Sequence, residues 1–267
     1  MPLEGSPPNI WAVGDSYEPY VGRWSRLVAR EFLNWLALPE GSNWLDVGCG
    51  TGALSETILL FYSPGHVKGI DRSKGYIEYI RSKIQDPRAE FHVGDALSLP
   101  VETGTCDSAV SGLVVNFVPQ PGQMVSEMAR VVRKGGTVAL FVWDYAGKMQ
   151  LMRHFWNAAV ALDPSAYTLD EGQRFTICDP DKLSDLFGEA GLQRVETRAI
   201  DIPTHFKDFD DYWVPFLGGQ GPASAYAMSL SEEMRARLRE KLQASLPITS
   251  DGSIPLIARA WAVRGTN

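Results

Sequence analysis

The chain has 267 residues, 45% of them hydrophobic and 21% charged, enough for one large domain with a substantial core. Its net charge of −7 argues against partners that want a basic surface, so neither nucleic acid nor an anionic membrane is expected. No apolar run approaches the ~18 residues of a membrane span, the first residues carry no basic or apolar signal region, and Cys49, Cys106 and Cys178 are too scattered for a disulfide framework, which leaves a reduced, cytoplasmic setting as the expectation.

The first 14 residues are rich in Pro and Gly and read as irregular. Trp24, Leu27, Val28, Glu31, Phe32, Trp35 and Leu36 recur at helical spacing, which predicts a helix ending near Pro39–Gly41. Residues 43–47 read as a short buried strand, followed by the turn GCGTG and a helix over 52–62. A second strand, 66–71, ends in Asp71, and a helix over 73–83 has Ser73 as its N-cap. A third strand, 89–93, ends at Gly94–Asp95, and a fourth covers 107–113. The spacing predicts a helix over 121–134, with Arg133 and Lys134 in its last turn, where they suit the dipole, and Gly135–Gly136 as its stop. Residues 137–143 form a fifth strand with few polar side chains, as a strand covered on both faces requires.

This alternation implies a parallel sheet with helices on both sides. Beyond it, Asp179–Pro180 opens a helix that Gly191 stops, and 195–200 and 256–263 read as two late strands. Two long inserts, 147–178 and 206–248, lie between regular elements, and the second holds a helix with the capping-box pattern Ser229-x-x-Glu232. Inserts of this length in a compact domain usually serve a site.

The turn after the first strand has to hold something close to its backbone. Gly48-x-Gly50-x-x-Ala53, with Asp71 further on, fits the literal dinucleotide pattern, so a nicotinamide cofactor stays open on that match alone. No Gly-Lys-Ser/Thr follows, which removes a Walker A loop. Three features point elsewhere. Asp46 ends the first strand, where its charge would repel a pyrophosphate but suits positive charge or amino donors. Gly94-Asp95-Ala96 places another acid at the carboxyl edge of the sheet, where open α/β folds bind ligands. After the fifth strand the chain builds no second mononucleotide-binding half.

The strings LDVGCGTG (45–52), GIDRS (69–73), VGDALSLP (93–100), CDSAVSGLVVNFV (106–118) and RVVRKGGTVAL (130–140), in this order, closely resemble the class I S-adenosylmethionine-dependent methyltransferases. Within them the chain is similar to the small-molecule branch that includes ubiquinone-type C-methyltransferases. The resemblance implies an α/β fold: a doubly wound, mostly parallel, seven-stranded Rossmann-like sheet with its last strand antiparallel and helical inserts forming a cap. It implies a single domain over 1–267, with a cofactor core at about 40–145 and cap or substrate elements at about 10–38, 147–178 and 206–248. It also implies S-adenosylmethionine as methyl donor, S-adenosylhomocysteine as product, and a small apolar or aromatic acceptor. Gly48, Gly50 and Gly52 would let the backbone approach the donor, with Cys49 as a small residue of the turn. Asp46 would serve the methionine amino group, Asp71 the ribose hydroxyls with Arg72 beside it, and Asp95, between Gly94 and Ala96–Leu97, the adenine edge. Ser111 and Leu113 would flank the sulfonium, and Tyr17 and Arg23 would touch cofactor or substrate.

The acceptor is written less plainly. Aromatics gather around the inserts, and Asn116, Trp143, Tyr145, His154 and Trp213 are the substrate candidates, with His154 the candidate base. His66, His92, His154 and His205 show no HxxxH or HxxE spacing, so no metal centre is expected, although scattered acids could converge on magnesium. Enzymes that methylate base amines share an Asn/Asp-Pro-Pro-aromatic stretch after strand four; here that place reads SGLVVNFV. Methyl transfer from a sulfonium mainly needs alignment, so no catalytic residue need stand out. A cofactor-bound enzyme of another reaction type, or a non-catalytic binding module, would share the same donor site, and a monomer and a homodimer are equally compatible with the sequence.

Overall fold

The computed structural model describes residues 22–218 and 221–267. Their centre is one seven-stranded sheet in the order β3-β2-β1-β4-β5-β7-β6. The strands are β1 (Asn43–Val47), β2 (His66–Asp71), β3 (Ala89–Val93), β4 (Cys106–Gly112), β5 (Val132–Trp143), β6 (Gln193–Phe206) and β7 (Ile254–Thr266). All neighbours pair in parallel except β7, which runs antiparallel to both β5 and β6. β1, at the middle, buries every residue after Asn43, as a strand covered on both faces must.

Helix α1 (Arg23–Leu36) buries Val28, Ala29, Phe32, Leu33 and Leu36 along one stripe, and Phe32 packs on Phe141 of β5 with ring centroids 4.9 Å apart. α2 (Ala53–Phe61) follows β1, and α3 (Lys74–Lys83) follows β2, with the Ser73 hydroxyl accepting the N–H of Tyr76 as its cap. α4 (Pro121–Val131) links β4 to β5. The first insert folds as α5 (Gln150–Leu162), a 3-10 turn (Pro164–Leu169) and the single turn α6 (Glu171–Arg174). α7 (Pro180–Glu189) leads into β6, and the second insert holds α8 (Phe209–Trp213), α9 (Gly221–Ser229) and α10 (Glu232–Ser245). The inserts share an aromatic core: Phe155 stacks on Phe216 at 4.5 Å, and the Tyr212 hydroxyl donates to the Leu151 carbonyl at 2.9 Å.

Three expected boundaries move. α4 stops at Val131, so Arg133, Lys134 and both glycines belong to β5. Arg133 donates to Asp107 at 2.6 Å, and the chain end pairs with this start of the strand, Gly135 N–H to the Asn267 carbonyl at 2.7 Å. The second-insert helix is capped by Ser231, whose hydroxyl accepts the Met234 N–H, while Ser229 ends α9 and bonds back to the Tyr226 carbonyl. β6 runs through Pro203, which an edge strand tolerates because one row of its N–H groups has no ladder partner. Its second half buries Ile200, Ile202, Thr204 and Phe206 alternately with exposed Asp201, Pro203 and His205, and the proline hides this alternation in the sequence.

Candidate active site

The turn after β1 is shaped by its backbone. Gly48 and Cys49 both donate to the Ile70 carbonyl, at 2.7 and 3.1 Å, and Gly50 donates to Asp71 Oδ2 at 2.9 Å. Gly48 sits at φ +76°, and a Cβ there would come within 2.5 Å of Val114. Glycine is therefore required both by the left-handed backbone and by the closeness of the loop after β4.

Around this turn three carboxylates stand at the carboxyl ends of three adjacent strands. Asp46, the penultimate residue of β1, is 1% exposed; Ser55 Oγ donates to its Oδ2 at 2.7 Å, and its Oδ1 has no partner among the described residues. Burial pushes its carboxyl up to about 7, and the nearby Asp71 adds to the rise. Asp71, ending β2, accepts the Gly50 N–H on Oδ2 and the Ser73 N–H, at 2.8 Å, on Oδ1, and burial raises its pKa too. Asp95, after β3, is exposed and accepts the Leu97 N–H at 2.9 Å in an Asx-type turn. The Cys49 thiol is pushed up by burial and by both acids, which keeps it a thiol rather than a nucleophile.

The loop that carries Asp95 is fastened to α4. Arg130 donates to the carbonyls of Leu99 and Val101 at 3.0 and 2.9 Å, while Glu127 accepts the Leu99 N–H at 2.8 Å. The Arg130 guanidinium beside Glu127 holds that carboxyl below its ordinary value. Sequence reasoning did not single out this pair, because the carbonyls that Arg130 holds lie 29 and 31 residues away along the chain.

These groups surround a cavity of about 310 Å³ at the carboxyl ends of β1 to β5, across the gap between β1 and β4 where the strand order reverses. Asp46, Gly48, Cys49, Gly50, Asp71 and Arg72 line it, as do Gly94 through Leu97, Leu113, Trp143 and Tyr145. Leu113 holds a left-handed φ of +64° with its N–H on the Phe141 carbonyl at 2.8 Å, a costly conformation of the kind found at binding sites. Tyr145 is presented by a tight turn in which Asp144 accepts the N–H groups of Gly147 and Lys148, each at 2.9 Å.

Other expected residues lie away from the cavity. Gly52 packs on α3: its φ is +92°, and a Cβ there would approach Ile80 to 2.6 Å. Ser111 points into the sheet and donates to the Val47 carbonyl at 2.6 Å. Arg23 pairs with Asp211 at 2.9 Å beneath the rings of Trp24 and Phe206. His154, on α5, is half-buried with its pKa lowered by burial, and Trp213 is buried beside Phe216. Asn116 sits in the 3-10 turn Val115–Phe117, outside the lining, with its buried Nδ2 unpartnered among the described residues. Tyr17 lies outside the described residues. Neither insert contributes a described residue to the lining; the first reaches it through Phe175, whose ring meets Phe117 and Tyr145 at 5.2 and 5.3 Å.

Residues 45–140 match a family model described as a methyltransferase domain. The demethylmenaquinone methyltransferase of Lysinibacillus sphaericus is 31% identical over 179 residues, which cover 61% of this chain and 75% of that enzyme. The chain belongs to the class I S-adenosylmethionine-dependent methyltransferases. An uncharacterised transposon protein of Streptomyces fradiae is 37% identical over 110 residues, and there the match spans 40% of this chain and 32% of the relative. Among solved structures, a Haemonchus contortus phosphoethanolamine N-methyltransferase in complex with S-adenosyl-L-methionine superposes with a TM-score of 0.60 over 95% of this chain and 56% of that one, at 14% identity. That likeness is one of fold.

The donor of this methyltransferase is S-adenosylmethionine, and the cavity fits it. A buried, unpaired Asp46 oxygen is a costly feature that a donor bearing an ammonium and a sulfonium relieves. The β2 and β3 ends offer further carboxylate oxygens, and nothing but the Gly48 carbonyl, at 4.0 Å, lies near the face of Gly50. The cavity is also lined by residues that sequence reasoning did not single out, Ser25, Thr51, Tyr76, Phe117 and Phe141 among them. Gly112 carries the one readable signal: a Cβ there would come 2.7 Å from the Phe141 ring, so the glycine marks where that ring lies. Among the described residues no three or more His, Cys, Asp or Glu side chains are grouped to hold a metal ion, and no helix is long and apolar enough to cross a membrane.

Proposed function

We propose that the chain transfers the methyl group of S-adenosylmethionine to a small, apolar or aromatic acceptor held over the ends of β4 and β5. The observation that carries this reading is the division of one cavity: carboxylates and glycine turn on the β1–β3 side, aromatic rings on the β4–β5 side. The named activity of the demethylmenaquinone methyltransferases supports an acceptor of this kind. The net charge of −7 disfavours nucleic acid in its place.

On this reading Asp71 accepts the ribose hydroxyls and Asp95, with Ala96 and Leu97, meets the adenine edge. Asp46 faces the amino group, and Leu113 stands by the reacting centre. Phe117, Phe141, Trp143 and Tyr145 hold the acceptor. About 40–145 forms the donor core of a single domain, and the inserts form a cap that braces the cavity from outside. When bound, S-adenosylmethionine supplies an electrophilic methyl group on a sulfonium, which leaves as a neutral thioether.

The protein's share is alignment. Holding two reactants in line is worth up to ~7–11 kcal/mol, whereas a general base adds ~10²–10⁴-fold. His154, the expected base, stands outside the lining, which supports alignment as the larger effect. Calorimetric titration with S-adenosylhomocysteine tests the donor half. Release of S-adenosylhomocysteine in the presence of aromatic acceptors tests the reaction. Absence of donor binding would overturn the reading.

A further inference from the structure

Among the residues that line the cavity, two buried polar atoms have no partner among the described residues. One, Asp46 Oδ1, is an acceptor and suits the donor's positive charge. The other, Trp143 Nε1, is itself a hydrogen-bond donor, so the ammonium and sulfonium cannot satisfy it and it calls for an acceptor atom such as an oxygen. Trp143 is 2% exposed, and buried N–H groups left unpaired are rare because they forfeit their hydration. Trp156 shows the ordinary solution, giving its indole N–H to the buried carboxyl of Glu171. Trp24 and Trp44 also carry an N–H without a partner among the described residues, but neither lines the cavity.

Place narrows the ligand. Trp143 ends β5, separated by β4 from the β1–β3 side where the three carboxylates stand. The lining on this side includes the rings of Phe117, Phe141 and Tyr145 beside aliphatic residues such as Leu113 and Val114, and Phe175 meets two of these rings. Most of this half of the cavity therefore recognises flat apolar surface, and the indole N–H adds a polar demand.

We propose that the Trp143 indole N–H is the hydrogen-bond donor that recognises the methyl acceptor, so that the acceptor is a flat, apolar ring system bearing an in-plane lone pair, such as a ring carbonyl or ether oxygen. This rests on the assignment of the β4–β5 half of the cavity to the acceptor. A site built around a donor discriminates against an isostere that leaves the donor unpaired, and this selects one oxygenated ring over a plain one.

Two flat bicyclic probes of similar size separate the contributions: chromone, with a ring carbonyl, and naphthalene, with none. Both are titrated into the full chain saturated with S-adenosylhomocysteine. The wild-type protein is expected to bind chromone about three- to tenfold more tightly than naphthalene, the range of one net neutral hydrogen bond. In Trp143→Phe that ratio falls to about one while the affinity for S-adenosylhomocysteine stays within about twofold. The ratio cancels whatever packing the smaller ring loosens. A wild-type ratio near one overturns the proposal whether or not the variant folds, as does a ratio that survives in Trp143→Phe or a wild-type protein that takes neither probe. A variant that keeps the ratio and loses S-adenosylhomocysteine affinity would place the indole on the donor's carboxylate instead. If the wild-type protein binds no S-adenosylhomocysteine, the donor reading of the cavity fails.

Discussion

Asp71 does two things at once, and two substitutions separate them. Its carboxylate accepts the N–H groups of Gly50 and Ser73, at 2.9 and 2.8 Å, and so fixes the turn and the start of α3. On the proposed reading it also accepts the donor's ribose hydroxyls. Asp71→Ala removes both roles: two backbone N–H groups lose their partner, and each costs about 1–3 kcal/mol when water cannot replace it. Asp71→Asn keeps one amide oxygen as acceptor and nearly the same shape, and it relieves the repulsion that Asp71 exerts on Asp46. Stability in urea should therefore fall most for the alanine variant, which strands both N–H groups, and by roughly half as much for the asparagine one, which strands one. Binding should fall for both, because a hydrogen bond to a charged group contributes about 1.5–3 kcal/mol, or roughly 10- to 150-fold in affinity. Calorimetry with S-adenosylhomocysteine isolates this effect, since the ribose is present and the sulfonium charge is not. If Asp71→Asn binds within twofold of the wild type, the ribose assignment is wrong and Asp71 is only a brace for the turn.

Asp46 should make stability depend on pH. Its folded pKa of about 7 lies above the ordinary 3.8, so the folded state holds the proton more tightly and stability declines as pH rises between those values, by about 4 kcal/mol, then levels off. In urea unfolding of the ligand-free protein across that range Asp46→Asn should lessen the decline relative to the wild type, the part that remains including that of the buried Glu171 carboxyl, also pushed up to about 7. S-adenosylmethionine binding near pH 7 should release part of a proton, read as a dependence of the calorimetric heat on buffer ionisation; no dependence would remove Asp46 from the donor's surroundings. Gly52→Ala should lower stability by about 2–4 kcal/mol, from a left-handed alanine and a methyl forced against Ile80, while the folded protein keeps its affinity for S-adenosylhomocysteine. Arg130→Met should free the loop before Leu99 and Val101, raising KM for S-adenosylmethionine about two- to tenfold with kcat unchanged; an equal loss in kcat would mean the loop acts on the reacting centre.

The glycine turn and the acids around it were legible because short-range geometry writes them. A strand with Asp46 as its penultimate residue, a turn that needs glycine at Gly48, and Asp71 at the end of the next strand are all fixed by a few consecutive residues and by strand period. The five-strand alternation was legible for the same reason. The errors share a different origin, since each depended on where one element lies against another. Ser111 and Leu113 read as equivalent neighbours of the reacting centre, because residues two apart share one face of a continuous strand. The strand ends at Gly112, however, and Leu113 turns to a left-handed φ of +64°, so Ser111 gives its hydroxyl to Val47 while Leu113 lines the cavity. Gly52 looked like a third cofactor glycine, but its constraint comes from Ile80 on the following helix. The inserts drew attention through their aromatics, and those rings mostly pack on one another, as Phe155 does on Phe216.

The aromatic wall of the cavity comes from two shorter pieces, the 3-10 turn that carries Phe117 and the end of β5 with its Asp144 turn, brought together by register and braced by Phe175. A sequence pattern reports the side of a site that the local chain builds. The side assembled from distant strands needs coordinates. A buried indole N–H without an acceptor is a property of that second kind, and for this reason Trp143, present in the sequence as one aromatic among many, gains a specific chemical role only once its surroundings are known.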